Sequence, residues 1–339
     1  MKTFGCAATD RLRSSRVKRV VALALAAGAL LLVSTCTTKT DWTKFDRETI
    51  EASVMSLNEA NRMYYELKPA SGKAEAAQQA IDYLLTQLAV DTAGMAPDSS
   101  VWVFFTNGAV GTTFPERPDS GPGCGLGVAS ERTPEVAALG GGEAPGPYTV
   151  LAPFHTEFGF RDFSDEIIRM LKECLGPDVA VKDCFDEEVT VEAIRSAMGS
   201  GLLYWSGHGA TVPKTRDGTD FVTGLLAGEH HGPGAFGDRA IALEAAGFWF
   251  ANPPVGVPGR HLFWLADEGQ IFVGILPGFV SDFGLFDRPE GMTARDKCIV
   301  YISCCDGSVM GPAFSAEGVD AFFGYSGSMP GSLTGTSSS

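Results

Sequence analysis

The chain has 339 residues, 45% hydrophobic and 20% charged, which suffices for one sizeable core plus a smaller appendage. Its 41 glycines and 19 prolines predict many turns and long loops and exclude a coiled coil or a disordered acidic chain. The formal charge is −15, and with the +5 of residues 1–35 set aside the remainder carries −20, a surface that repels phosphates and excludes DNA or RNA as a default partner.

The first element is a targeting segment. Arg11, Arg13, Arg16, Lys18 and Arg19 form a basic start, and Val21 to Val33 is an apolar run too short for a comfortable membrane span. LVSTC then closes on Cys36. This resembles a bacterial lipobox, in which the cysteine is lipidated and becomes the mature N-terminus; it departs from that pattern at Thr35, where Gly, Ala or Ser is usual. A lipoprotein signal over residues 1–36, a plain cleaved signal and an uncleaved anchor all place the protein outside the cytoplasm. The first of these makes it a membrane-anchored lipoprotein, periplasmic or at the cell surface, touching the membrane only through Cys36.

From Trp42 to about Val90 the apolar residues recur at helical spacing, with Ile50, Val54, Leu57 and Met63 or Tyr64 on one face. A second helical stretch follows the PASG break at Pro69 to Gly72. The two predict a helical hairpin over 37–97 that serves as a spacer or cover and carries no catalytic constellation. Val101 to Phe114 then predicts a β-hairpin around Asn107-Gly108. Residues 115–147, rich in Gly, Pro and Ser, predict a long loop.

A strand–helix rhythm begins next. Tyr148–Phe154, Val179–Cys184, Gly201–Ser206 and Cys298–Ser303 read as short buried strands. Between the first three lie helices, SDEIIRMLKECLG capped by Ser164 and TVEAIRSAMG capped by Thr190. Short apolar strands alternating with helices predict an α/β domain over 98–330, built on a mostly parallel sheet covered on both faces. In such sheets reactive groups gather beyond the carboxyl ends of the strands.

Two sequence stretches sit at such ends. In YWSGHGA, His208 stands between glycines two residues past a strand. In YISCCDGS, Cys304 and Cys305 end a strand just before Gly307. A cysteine attacks as its thiolate, and a nearby imidazole supplies the base or the stabilising cation. Strand-SGHG followed by strand-SC-x-x-G resembles the caspase-like cysteine peptidases of clan CD, which include metacaspases, legumains, gingipains, clostripain and caspases. The resemblance covers roughly residues 148–329, with AFSAEGVDAFFGYSG supplying a helix and a further strand.

The resemblance implies a caspase-like fold and an endopeptidase acting through a thioester, with a protein or peptide as substrate. His208 corresponds to the catalytic histidine, and Gly209 to the donor of an oxyanion-binding N–H. The nucleophile is Cys304 by C-x-x-G-S spacing, or Cys305 by counting from the strand with a small residue before it. Ile302 stands where metacaspases and legumains carry an acid, so a preference for Arg or Lys is not carried over. No cofactor is implied, although some relatives need calcium, and Asp186 to Glu188 is the acidic stretch to consider for it. The alternative is a catalytically silent caspase-like domain serving as a binding or scaffold module.

The long interval 210–297 suits a cleft insert, a prosegment, a lid or extra structural hairpins. His155 follows a strand end and suits either a cleft flank or a plain surface position, His230-His231 lacks partners at ligand spacing, and His261 opens an apolar run as a structural residue. In an exported chain Cys174 with Cys184 is the most plausible disulfide by closeness in sequence, and buried free cysteines acting as small hydrophobes are the other reading. Residues 331–339 read as a flexible tail.

Overall fold

The computed structural model describes residues 40–113, 148–159, 162–251, 259–283, 298–304 and 306–324. The signal-like segment with Cys36, the loop 115–147, Cys305 and the tail 331–339 lie outside the described residues. Among the described residues no helix is long and apolar enough to cross a membrane.

The protein is an α/β fold with an N-terminal helical hairpin, and its strands divide between two sheets. Helix α1 (Arg47–Ser71) starts at a reciprocal cap: Thr49 N–H donates to the Asp46 carboxylate, and Asp46 N–H donates to Thr49 Oγ1. It runs through Pro69, and the break before α2 (Lys73–Leu85) falls on Gly72 alone, at φ +83°. Ile50, Val54, Leu57 and Tyr64 form its buried face. Burying each such side chain contributes roughly 1.5–3 kcal/mol, which is why the hairpin stays on the sheet beneath it.

That sheet has seven strands. They are β1 (Val90–Met95), β2 (Val101–Phe105), β3 (Val110–Thr113), β7 (Gly209–Pro213), β8 (Phe221–His231), β9 (Leu262–Asp267) and β10 (Gln270–Ile275). Their order is β1-β2-β3-β9-β10-β8-β7, antiparallel except between β3 and β9. The predicted hairpin around Asn107-Gly108 is β2–β3. The interval between the two motifs therefore builds four of the seven strands, together with helix α6 (Pro233–Ala245), which packs on α1.

The second sheet is the predicted parallel one. It contains β4 (Tyr148–Ala152), β5 (Val181–Phe185), β6 (Leu202–Ser206), β11 (Ile299–Ser303) and β12 (Ala321–Gly324), in the order β12-β11-β6-β4-β5. Between these strands run α3 (His155–Phe158), α4 (Ser164–Leu175), α5 (Val191–Ala197) and α7 (Gly311–Ala316). Helix α5 has the predicted Thr190 cap, whose hydroxyl accepts from Ala193 N–H. At α4 the cap differs from expectation. Ser164 is the first helical residue, and buried Asp162 accepts both its N–H (3.0 Å) and its hydroxyl (2.6 Å). A carboxylate accepts two donors at once, which a serine hydroxyl in the cap position does not match.

The two sheets share the largest core, which runs from the hairpin helices through Trp264 on β9 to Trp205 on β6 and Ile302 on β11. A smaller core holds Trp102, Phe104, Phe154, Phe263 and Leu265. One strand makes a special junction. The β8–β10 register passes from Leu226 opposite Gly274 to His230 opposite Phe272, so β8 carries extra residues there and bulges. The bulge carries Gly228 against the parallel sheet, where its N–H donates to the Val189 carbonyl at 2.9 Å.

Candidate active site

Both motifs leave the parallel sheet at one edge. β6 and β11 run in register from Leu202 opposite Ile299 to Ser206 opposite Ser303, and Gly207 N–H extends the ladder to the Ser303 carbonyl at 3.1 Å. His208 lies two residues past one strand end and Cys304 one residue past its neighbour. Neighbouring strands are ~4.8 Å apart, so the two segments emerge side by side.

Beyond Cys304 the chain turns sharply. Asp306 takes the left-handed conformation at φ +52°, a region Asp tolerates well, and Gly307 opens a 3-10 turn, Gly307–Met310. A β-carbon at Gly307 would meet Ile302 Cγ2 at 2.8 Å and Cys304 Sγ at 3.0 Å, so the turn requires glycine. Cys304 is 1% exposed and belongs to the large core with Val300, Ile302 and Trp205. Cys305, the alternate nucleophile, lies outside the described residues.

His208 occupies the corner where β6 of one sheet passes into β7 of the other. Its ring is nine-tenths buried, edge-on to Phe154 (centroids 4.7 Å) and Phe158 (4.9 Å), both attached to the smaller core. Its Nε2 is 3.2 Å from Glu157 Oε1. The backbones of the two motifs thus meet at one edge, while the His208 ring and the Cys304 thiol enter different cores. Leu226 N–H donates to the His208 carbonyl at 3.0 Å, which makes that the hydrogen-bonded pair of the β7–β8 ladder. At the next pair, Gly209 with Leu225, the antiparallel pattern turns N–H groups away from the partner strand. Since β7 ends the sheet, Gly209 presents its N–H outward.

The sequence reading missed Glu157. It stands on the one-turn helix α3, directly after β4, with Phe154 and Phe158 four residues apart on either side of it. The rule that found His208, reactive groups past strand ends, applies equally to β4 and points to this stretch. Helix α3 is tied down by Asp186, whose carboxylate accepts from Thr156 N–H (2.9 Å) and Thr156 Oγ1 (2.5 Å). The acidic stretch Asp186 to Glu188 is a 3-10 turn in which Asp186 makes this contact while Glu187 and Glu188 are exposed. Among the described residues no three His, Cys, Asp or Glu side chains are grouped to hold a metal.

Beside Glu157 opens a cleft of about 500 Å³ between the two sheets. Glu157, Asp186, Glu187, Asp267 and Glu268 line it, with His230 as its one basic group among the described residues. Such a lining favours a cationic over an anionic occupant. His155 is held elsewhere: its Nδ1 is 2.6 Å from Asp162 Oδ2, and its ring stacks on Phe185 at 4.5 Å. His230 Nδ1–H donates to the Gly228 carbonyl at 3.1 Å, and His231 packs by Phe236.

His261 is structural, as its apolar setting predicts. It is fully buried, accepts from Trp249 N–H at Nδ1 (3.3 Å), and stands 2.9 Å from Asp282 through Nε2. Burial pushes its pKa below the ordinary value, and Asp282 opposes that only in part. The unfolded chain therefore binds this proton at a higher pH than the folded one, so folding is weakened as pH falls through and below about 6.5. Melting temperatures measured from pH 8 to 5 should fall more steeply for the native protein than for His261→Gln. Parallel curves would refute this assignment.

Cys174 is an exposed thiol and Cys184 a buried one, with no bond between them, so the disulfide suggested by their closeness in sequence does not form. Burial raises the Cys184 pKa, and burial followed by Asp320 pushes Cys298 up to about 12. Both are therefore poor nucleophiles at neutral pH. Compared with protein-family models, with curated proteins and with solved structures, the chain gives no match.

Proposed function

We propose that this protein is an exported cysteine endopeptidase of the caspase-like kind, anchored through a lipid on Cys36 and working by a histidine–cysteine dyad without a cofactor. The observation that carries the reading is the matched ending of β6 and β11, beyond which His208 and Cys304 follow on neighbouring strands. The thiol attacks a peptide carbonyl as its proton passes to His208. The oxyanion is met by the Gly209 N–H and the nucleophile's own N–H, donors worth roughly 3 kcal/mol each in such sites. The amine then leaves with the proton from His208, and water hydrolyses the thioester. With Cys304 buried in the core, Cys305 is the nucleophile we assign. The same burial favours the second reading, a silent caspase-like binding module.

Limiting iodoacetamide at pH 6.5, followed by peptide mapping, separates the two. An ordinary thiol is ~1% ionised there. Cys305 should label at least roughly tenfold faster than exposed Cys174, and His208→Ala should remove that advantage. Fast labelling at Cys304 would move the nucleophile one residue. If no cysteine outpaces Cys174, or the histidine change has no effect, the peptidase reading fails.

A further inference from the structure

Helix α3 has only four residues, yet it meets the His208 ring on three sides. Phe154 at its cap and Phe158 at its end set the ring plane, both edge-on at under 5 Å, and Glu157 Oε1 stands 3.2 Å from Nε2. A carboxylate accepts and does not donate, so this contact selects Nε2–H. The neutral ring then carries its lone pair at Nδ1, the only nitrogen left to take a proton from a nucleophile. The backbone that carries this carboxylate is anchored, because Thr156 beside it is bound twice by Asp186. The backbone of that Asp186 is in turn pressed against Gly228 of the bulge in β8.

We propose that Glu157 is the positioning residue of this site: it fixes His208 as the Nε2–H tautomer so that the ring serves the thiol through Nδ1. This rests on the reading of His208 as the general base. Glu157 also lines the acidic cleft, so the group that orients the imidazole is in contact with whatever occupies the cleft. Among the described residues, Asp186, Glu187, His230, Asp267 and Glu268 are the other ionisable groups facing it there.

The test is the tautomer itself, read from long-range proton–nitrogen spectra of protein with ¹⁵N-labelled histidine at pH 8. His208→Asn identifies the ring's signals. The expected result is a protonated Nε2 and bare Nδ1 in the native protein. Glu157→Gln, which keeps an accepting oxygen, should retain that pattern. Glu157→Ala should shift the ring to a mixture of tautomers while the folded spectrum is otherwise kept. The pH profile of iodoacetamide labelling supplies the second readout: roughly tenfold slower at pH 6.5 in the alanine variant and close to native in the glutamine variant. A native ring protonated at Nδ1, or a tautomer indifferent to alanine, would overturn the proposal. The tautomer result stands whether or not any cysteine responds, so a failure here differs from a failure of the peptidase reading.

Discussion

Gly228→Ala is expected to cost about 3 kcal/mol of stability and to disorder the histidine corner as well. The added β-carbon would overlap the Asp186 carbonyl oxygen and lie 3.2 Å from Pro153 Cα. Both obstacles are backbone, so no side chain can swing aside to relieve them. One of two things must move: the β8 bulge or the turn at Asp186. If the bulge moves, the bond from Gly228 N–H to the Val189 carbonyl goes with it. If the turn moves, Asp186 pulls on Thr156, and Glu157 shifts from its 3.2 Å contact with His208. Calorimetry and the His208 nitrogen signals together measure both parts. A variant with native melting temperature and a native His208 spectrum would refute this expectation. Gly232, with open space around its missing side chain, is the control, and its alanine variant should be close to native.

Arg239→Met is expected to lower stability by about 3 kcal/mol, or roughly 5–10 °C in melting temperature. Glu229, next to Gly228 in the bulge, is 6% exposed. One of its oxygens accepts from Val191 N–H at the start of α5 (3.1 Å), and the other takes Arg239 Nε at 2.9 Å. The same guanidinium reaches Glu192 twice, at 2.9 and 2.6 Å, and holds that carboxyl below its usual range. Methionine fills much of the space but leaves a buried carboxylate without its cation. Adding Glu229→Gln removes the stranded charge while keeping an acceptor for Val191, so the double variant should recover a large share of the loss. Chemical denaturation of the four proteins gives the coupling. A single variant costing under about 1 kcal/mol would class the cluster with ordinary surface pairs.

How much of this was legible in the sequence follows from the range of each interaction. The strands of the parallel sheet and the two motifs at their ends were readable because a buried strand is a local apolar run and its exit is marked by glycine. The hairpin helices were readable because period and face are local too. The seven-stranded sheet was not. β7–β8 and β9–β10 are local hairpins, but β8 pairs with β10 some 40–50 positions on, and β3–β9 joins residues more than 150 positions apart, for which no local signal exists. The interval 210–297, which suited an insert, a prosegment, a lid or extra hairpins equally, supplies about a third of the larger core. At the site, His208 stood out between glycines, whereas Glu157 looked like one acid among 41 acidic residues. Only the pairing of β4 with β6 brings it to the ring. The face entered by Cys304 continues the alternation of Val300 and Ile302, all three in the larger core, a period-two signal already present in the sequence.

The pairing of β6 with β11 also sets an order of events during synthesis. Ile299 is made 97 residues after its partner Leu202. At ribosomal speeds that is an interval on the order of ten seconds, long compared with hairpin formation. Through it β6 has β4 on one side and an open edge on the other, with Leu203 and Trp205 among its side chains. An exposed apolar edge of this kind invites pairing with other chains. The histidine motif is thus present early, at the rim of an unfinished sheet, and the cysteine motif joins it later, before β12 adds the outer strand. Chains interrupted before residue 299 should be the aggregation-prone species, and adding β11 is the step that covers the β6 edge and brings the two motifs side by side.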